Sequence, residues 1–236
     1  MVRHKAIKAA LDVGKATEWN DDHQPDYTSG TILEVDFCNS SIAAKFDTAQ
    51  TSGGSAPVVV LYDHHAMAYL DTGATTNNIS SMRMMLGAAA GNITYVDDAP
   101  IMDMQVGLAA FHTAGIVAEF GMIKSDTAAA FTANQNGAYF RVNANKLYAV
   151  TGTGAAETAT DVTPAGGIST WQHYRIELTG TTCKFYIGDM ETAVSTSITN
   201  LPSDDMTIKF SMQSQNNVDS KMYVGGAGLL RNLYWG

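Results

Sequence analysis

The sequence predicts an all-β protein, an antiparallel sandwich of two sheets, and three observations indicate it. From Gly30 onward, hydrophobic residues recur at every second position, which is the period of a strand with one buried face. These runs are short and are separated by Gly, Asn, Ser and Thr, as in antiparallel sandwiches. Helix signals are nearly absent, because the one alanine-rich stretch, 86–91, is bounded by glycines and too short to be stable alone.

The clearest strands come in pairs. Alternation over 101–111 and again over 116–123, with a glycine-containing turn between them, predicts a hairpin. A second hairpin is predicted from 171–178 and 183–187, which place Tyr, Ile, Leu, Cys and Phe on one face. Residues 151–167, rich in Thr, Ala and Gly, are interpreted as a long surface loop. Further strand-like runs are 31–37, 58–62, 82–86, 92–96, 138–142, 146–150, 206–212 and 221–224.

The chain divides near residue 28 into an N-terminal arm, residues 1–28, and the sandwich, residues 29–236. The arm contains a helix-compatible stretch, 6–11, followed by a polar run, 15–25. This polar run shows no alternation, and Pro25 ends any helix within it. The arm therefore has no core of its own.

A single tryptophan in the polar run indicates that the arm docks on something. Trp19 has no local core in which to bury its indole, and tryptophan is the residue type most enriched at interface hot spots. We expect the arm to lie against another protein chain, with Trp19 as the anchor and Asn20, Asp22 and His23 supplying polar contacts. The alternative is that Trp19 folds back onto its own sandwich in a monomer.

Composition narrows the function classes. A length of 236 residues suits one domain, and 45% hydrophobic residues are ample for a core. A net charge of −9 argues against a large nucleic-acid interface, and no apolar run is long enough to insert into a membrane. Only 16% of the residues are charged, which is typical of all-β extracellular or virion proteins, and no signal peptide is visible.

The second half of the chain has a recognisable pattern. The strand W-Q-H-Y-R-I-E-L, 171–178, is followed by a turn and by C-K-F-Y-I-G-D, 183–189. This order resembles the concanavalin A-like jelly-roll superfamily, including laminin G-like modules, over about residues 135–235. The resemblance implies a jelly-roll sandwich for residues 29–236, and it identifies a fold without an activity.

The arm carries a second resemblance. Its segment A-T-E-W-N-D-D-H, 16–23, is similar to the A-x-x-W-N-x-D-H segment of tail, fibre and other virion proteins of tailed bacterial and archaeal viruses. This implies a non-enzymatic virion structural protein, namely a fibre, spike or capsid-decoration subunit. Its expected partners are other virion proteins and further copies of itself, with a trimer favoured, and it would touch host-surface glycans. The alternatives are a free lectin-like carbohydrate-binding module and a polysaccharide-cleaving jelly-roll enzyme.

The strongest enzymatic pattern is E-V-D-F-C-N at 34–39. Some jelly-roll glycosidases carry E-x-D-x-(x)-E on a strand, where the two glutamates act as nucleophile and acid/base. Glu34 and Asp36 share one strand face, but Cys38 and Asn39 occupy the positions of the third acid. Because a proton donor is missing, we predict no catalytic residue and no enzyme activity.

Metal sites are weakly indicated. His64 and His65 are adjacent, so on a regular strand they point to opposite faces and cannot share an ion. The acidic pairs 97–98 and 204–205 lie beside prolines, which indicates turns, with calcium binding as the alternative. We therefore expect no metal and no cofactor.

Four tyrosines are candidate stacking platforms for sugars, with ordinary packing on a sheet as the alternative: Tyr62, Tyr69, Tyr95 and Tyr148. The two cysteines, Cys38 and Cys183, are expected to be buried as small hydrophobic residues, and a disulfide between them is left open.

Overall fold

A computed structural model describes the sandwich in segments. All of them belong to one compact unit, residues 32–236. The described residues are 32–36, 46–50, 54–62, 65–84, 99–109, 116–124, 134–165, 167–168, 171–188, 190–217 and 219–231. Among them there is no helix, and so none that could cross a membrane.

The regular elements of the described segments are all strands, which confirms the predicted fold class. Their bounds are β1 Ile32–Asp36, β2 Phe46–Gln50, β3 Ser55–Tyr62, β4 His65–Asp71, β5 Ile79–Met84, β6 Pro100–Ala109, β7 Ile116–Ile123, β8 Asn136–Asn143, β9 Lys146–Thr153, β10 Glu157–Asp161, β11 Trp171–Leu178, β12 Cys183–Ile187, β13 Ser195–Ser197, β14 Thr207–Ser214 and β15 Lys221–Arg231.

Two antiparallel sheets are built from these strands. The first has the order β13-β12-β11-β6-β15-β4-β3, with β1 also paired to β15, and we call it the eight-stranded sheet. The second has the order β10-β9-β8-β7-β14-β5-β2 and is called the seven-stranded sheet. Sheets of this kind pack face to face, so that alternate residues of each strand point into a shared core.

The core is the product of the alternation seen in the sequence. Met102 and Met104 of β6 are buried, as are Tyr174 and Ile176 of β11. Aromatic rings connect the two sheets, since Tyr174 lies 4.9 Å from the ring of Phe120 in β7 and 4.9 Å from that of Phe140 in β8, between centroids. Such tilted and edge-to-face contacts are the favoured geometry for aromatic pairs.

Strand pairing confirms one predicted hairpin and corrects another. β11 and β12 pair directly, with Leu178 opposite Cys183, as predicted. β6 and β7 do not pair: β6 lies between β11 and β15, whereas β7 lies between β8 and β14 in the other sheet. The hairpin prediction for 101–123 was wrong because alternation identifies a strand and one buried face but does not name its partner.

The predicted loop at 151–167 is also corrected. β9 continues to Thr153, and β10 follows from Glu157 to Asp161 and pairs with it. Threonine is a good strand former, so a Thr-rich segment at a sheet edge extends the ladder although its glycines resemble a loop.

Candidate active site

The outward surface of the seven-stranded sheet carries an unusual set of charges. Residues that alternate with the core positions of this sheet point away from the sandwich centre, where polar groups are normally exposed. Here several are almost completely buried, with Glu119 and Lys209 each only 1% exposed. Buried polar residues of this surface include Ser81, Arg83, Glu119, Gln135, Lys209 and Ser211, and we call it the charged face.

Arg141 is the centre of the charged face. Its Nε donates to Glu119 Oε1 at 2.7 Å, and its Nη1 and Nη2 donate to the two oxygens of Glu157 at 2.7 and 3.1 Å. Nη2 also donates to the hydroxyl of Tyr139 at 2.9 Å. The second oxygen of Glu119 accepts from the amide of Gln135. One guanidinium therefore holds two carboxylates at fixed positions, one on each side of it.

The register of the sheet brings these groups together. Glu119 of β7 and Arg141 of β8 are direct cross-strand partners. Glu157 of β10 is paired with Gly152 of β9. Because Gly152 has no side chain, nothing on β9 at this position separates Glu157 from the side chains of β8. A Cβ on Gly152 would lie 2.1 Å from the backbone oxygen of Gln135. The glycine thus allows the close approach of the segment that carries Gln135 to β9.

The two carboxylates have opposite electrostatic environments. Burial raises the pKa of Glu119, and this outweighs the opposing effects of Arg141, Gln135 and Lys209. The pKa of Glu157 is lowered, mainly by its hydrogen bonds from Arg141. Two carboxyl groups whose pKa values are pushed apart are suited to different acid–base roles.

A second cationic group lies beside this pair. Burial lowers the pKa of Lys209 to about 8, and the charge of Arg83 lowers it further, whereas Glu119 acts in the opposite direction. Lys209 is the cross-strand neighbour of Arg83, and Arg83 forms an ion pair with Asp47 at 3.0 Å. The charged face therefore continues across four neighbouring strands, from β8 to β5.

Of the four tyrosines predicted as sugar platforms, two have described side chains. Tyr69 of β4 is half-buried on the outward surface of the eight-stranded sheet, and Tyr148 of β9 is half-buried on the charged face. Tyr62 is the last residue of β3, but its side chain is not described. Tyr95 lies outside the described residues. The structure does not bring Tyr69 and Tyr148 together, since they belong to different sheets.

The predicted docking arm lies wholly outside the described residues, including Trp19, Asn20, Asp22 and His23. Its docking, the division at residue 28 and the trimer all stay predictions.

The incomplete catalytic motif lies on β1. Glu34 and Asp36 occupy register positions opposite Gly228 and Gly226 of β15, in the eight-stranded sheet, so the motif is not on the charged face. Their side chains, with Cys38 and Asn39, lie outside the description. None of the described strands carries a complete E-x-D-x-(x)-E pattern.

Some of the metal and cysteine candidates lie within the described residues. Asp204 accepts a hydrogen bond from Lys124 Nζ at 2.7 Å, so its charge is already paired. In the part of the chain that the structure describes, no three His, Cys, Asp or Glu residues are placed to hold a metal ion. Cys183 is a buried free thiol whose pKa is raised by burial. His64 and the pair 97–98 lie outside the described segments.

Sequence reasoning missed the charged face. Glu119 stands alone in the apolar strand I-V-A-E-F-G-M-I, and Arg141 stands alone in A-Y-F-R-V. A single charge within a strand that is otherwise hydrophobic on both faces was the available signal, because such a charge is stable only when it is paired. What could not be read was the partner, which depends on the register of β7, β8 and β10.

The two antiparallel sheets form a jelly-roll sandwich, and solved structures with this fold are similar over nearly the whole domain. A β-glucanase from Bacillus licheniformis is 11% identical with a TM-score of 0.60, covering 86% of this chain and 98% of that one. A structure described as a native glycosidic hydrolase is 12% identical with a TM-score of 0.62, covering 86% and 97%. A carbohydrate esterase from the Shiga toxin-encoding bacteriophage phi24B is 14% identical with a TM-score of 0.54, covering 87% and 100%. No protein-family model and no curated protein matches.

These neighbours correct the functional prediction. The main interpretation, a non-enzymatic virion structural protein, was wrong: the similar structures include a glucanase and a glycosidic hydrolase, with which the alternative of a polysaccharide enzyme agrees better. The expectation of no enzyme activity is corrected on the same ground. It rested on the missing third acid of one strand motif, whereas the acids of the charged face come from different strands.

Proposed function

We propose that this protein is a polysaccharide-cleaving enzyme whose active site is the charged face. The observation that carries the proposal is the Glu119–Arg141–Glu157 cluster, in which one guanidinium binds two carboxylates of opposite pKa shift. Glycoside hydrolysis needs such a pair, one carboxyl that delivers a proton and one that remains ionised. The similar fold of the glucanase and the glycosidic hydrolase supports the substrate class.

The environments assign the roles. Glu119, whose pKa is raised by burial, protonates the oxygen of the leaving sugar as the glycosidic bond breaks. Glu157, which stays ionised, takes a proton from the water whose oxygen bonds to the anomeric carbon.

The direction of substrate entry follows from exposure. The side chains of Glu157 and Arg141 are 23% and 16% exposed, whereas that of Glu119 is 2% exposed. A sugar therefore meets Glu157 and Arg141 first. Gln135 holds the second oxygen of Glu119 through a neutral amide, which adds no charge beside the proposed acid.

The test is release of reducing ends from soluble mixed-linkage β-glucan and β-1,3-glucan. We expect wild type to release them and Glu119→Gln to fall by at least about a hundredfold, since a positioned acid contributes 10²–10⁴-fold. Glu157→Gln should fall similarly. Asp161→Asn is the matched control, because Asp161 lies on the same strand as Glu157 but is exposed and pairs with Lys146 instead.

Two outcomes would overturn the proposal. One is full activity of Glu119→Gln, which would make the cluster structural. The other is release of acetate from an O-acetylated polysaccharide with no reducing ends from any glucan, which would place the protein among carbohydrate esterases. Circular dichroism of each variant checks that the fold is retained.

A further inference from the structure

A row of aromatic rings crosses the outward surface of the eight-stranded sheet. Tyr69 of β4 is the register partner of Tyr223 in β15, Tyr223 is the partner of Gly107 in β6, and Gly107 is the partner of Trp171 in β11. The ring centroids of Tyr69 and Tyr223 are 5.1 Å apart, and those of Tyr223 and Trp171 are 6.2 Å apart. We call these three rings the aromatic row.

Gly107 brings the row together. Tyr223 and Trp171 are separated by a whole strand, so their backbones are about 9.6 Å apart at the usual strand spacing. Their rings are nevertheless only 6.2 Å apart, because Gly107 has no side chain to keep them apart. Gly107 is buried, while the three rings are half-buried. The result is a nearly continuous aromatic strip across four strands.

Polar groups border the strip on both sides. On one side, the register pair Gln105 and His173 lies two residues along the strands, about 7 Å away. His173 is exposed. On the other side, Asp71 accepts a hydrogen bond from the hydroxyl of Tyr69 at 2.8 Å and lies opposite Lys221 in the register. Hydrogen-bonding groups therefore begin one position away from the rings.

Most of the charges near the row are paired. Arg175 binds Asp103 through two hydrogen bonds of 2.7 and 3.0 Å, one further position along the strands from His173. Lys221 lies 3.4 Å from Asp219. Asp71 and Asp219 both lie beside Lys221, so this part of the surface carries a small excess of negative charge, which disfavours a polyanion.

From this arrangement we infer that the aromatic row is a binding site for a neutral polysaccharide chain, distinct from the charged face. A pyranose ring has an apolar face of C–H groups and a rim of hydroxyls, which matches rings flanked by amide, imidazole and carboxylate groups. Protein interfaces instead have a broad apolar centre, whereas here Gln105 and His173 flank one side of the row and Asp71 and Lys221 flank the other. The site goes beyond the proposed cleavage and does not depend on it, because it lies on the other sheet.

Affinity electrophoresis tests the inference, with gels that contain soluble mixed-linkage β-glucan, galactomannan or polygalacturonate. We expect wild type to be retarded by a neutral polysaccharide and not by polygalacturonate. Tyr223→Leu, which keeps apolar volume but removes the central ring, should bind about tenfold more weakly. The matched control is Tyr186→Leu, the same change on the outward surface of β12 outside the row, which should bind within about twofold of wild type.

The contrary results are equally specific. Retardation by neither neutral gel, retardation by polygalacturonate alone, or unchanged binding by Tyr223→Leu would each overturn the inference. If Tyr223→Leu does not fold, Trp171 at the end of the row is changed instead. Trp171→Leu, which removes the ring, should then bind more weakly than Trp171→Phe, which keeps an aromatic ring. Glu119→Gln should be retarded like wild type. A failure of the proposed cleavage can therefore be distinguished from a failure of the proposed binding site.

Discussion

The outward surfaces of the two sheets differ in which residues they carry and in how deeply these are buried. Both carry polar residues at positions that alternate with the core. On the seven-stranded sheet these residues are buried charges held by Arg141, and on the eight-stranded sheet they are half-buried rings beside ion pairs such as Arg175–Asp103. A buried charge network is costly to disturb, whereas a half-buried row tolerates change. We therefore expect stability and chemistry to depend on the first surface and adhesion to depend on the second.

Removal of the central guanidinium should have the largest effect. Arg141→Met leaves Glu119 and Glu157 without their main partner, and breaking such a buried pair costs about 3–5 kcal/mol of unfolding free energy. Urea denaturation measures it. Arg141→Lys should recover only part of the loss, because an ammonium cannot bind both carboxylates in the geometry of a guanidinium. A loss below about 1 kcal/mol for Arg141→Met would mean that the network contributes little to the fold.

The sequence could identify individual strands but not the strands with which they pair. Alternation identified β6, β7, β11 and β12 and their buried faces, because period two is a local property. It could not show that β6 and β7 lie in different sheets, since pairing is decided by contacts far apart in the chain.

The candidate site was hidden for the same reason. Glu119 and Glu157 are 38 positions apart and meet only through Arg141, so no motif joins them. Tyr69 was named from the sequence as a candidate sugar platform, but the other rings of its row, Tyr223 and Trp171, come from distant strands. The sequence shows the type of each residue, whereas its neighbours in space depend on the register of the strands.

Crowding at the glycine of β9 should have the next largest effect. In Gly152→Ala the added Cβ would lie 2.1 Å from the backbone oxygen of Gln135, so the segment that holds Glu119 must shift. Overpacking of this kind typically costs about 1–3 kcal/mol. Thermal unfolding measures the loss, and Gly180→Ala is the control because nothing lies within 4 Å of its added Cβ. Equal stability of the two variants would show that the close approach is not needed.

The buried lysine should give a pH-dependent effect. In the folded protein the pKa of Lys209 is lowered to about 8, below its ordinary value of 10.5, so the folded state releases this proton first as pH rises. Wild type should therefore gain stability relative to Lys209→Met between pH 8 and 10.5, by at most about 1.4 kcal/mol per pH unit. Urea denaturation at several pH values measures the difference. A constant difference across this window would mean that Lys209 is not desolvated.

The smallest effect on stability is expected on the other sheet. Tyr223→Leu removes a half-buried ring and retains apolar volume, so the unfolding free energy should change by less than about 1 kcal/mol. Thermal unfolding of this variant beside Arg141→Met measures the contrast directly. A loss as large as that of Arg141→Met would show that the aromatic row is part of the stabilising core and not a separate surface.

The division between the two surfaces is tested most directly by measuring cleavage and binding in the same two variants. Cleavage is read as reducing ends released from a short β-glucan oligosaccharide, and binding as retardation in a gel that contains the polymer. The account predicts that Glu119→Gln loses cleavage and keeps binding, and that Tyr223→Leu keeps oligosaccharide cleavage and loses binding. The account is contradicted if either folded variant loses both cleavage and binding. It is also contradicted if both variants keep both properties.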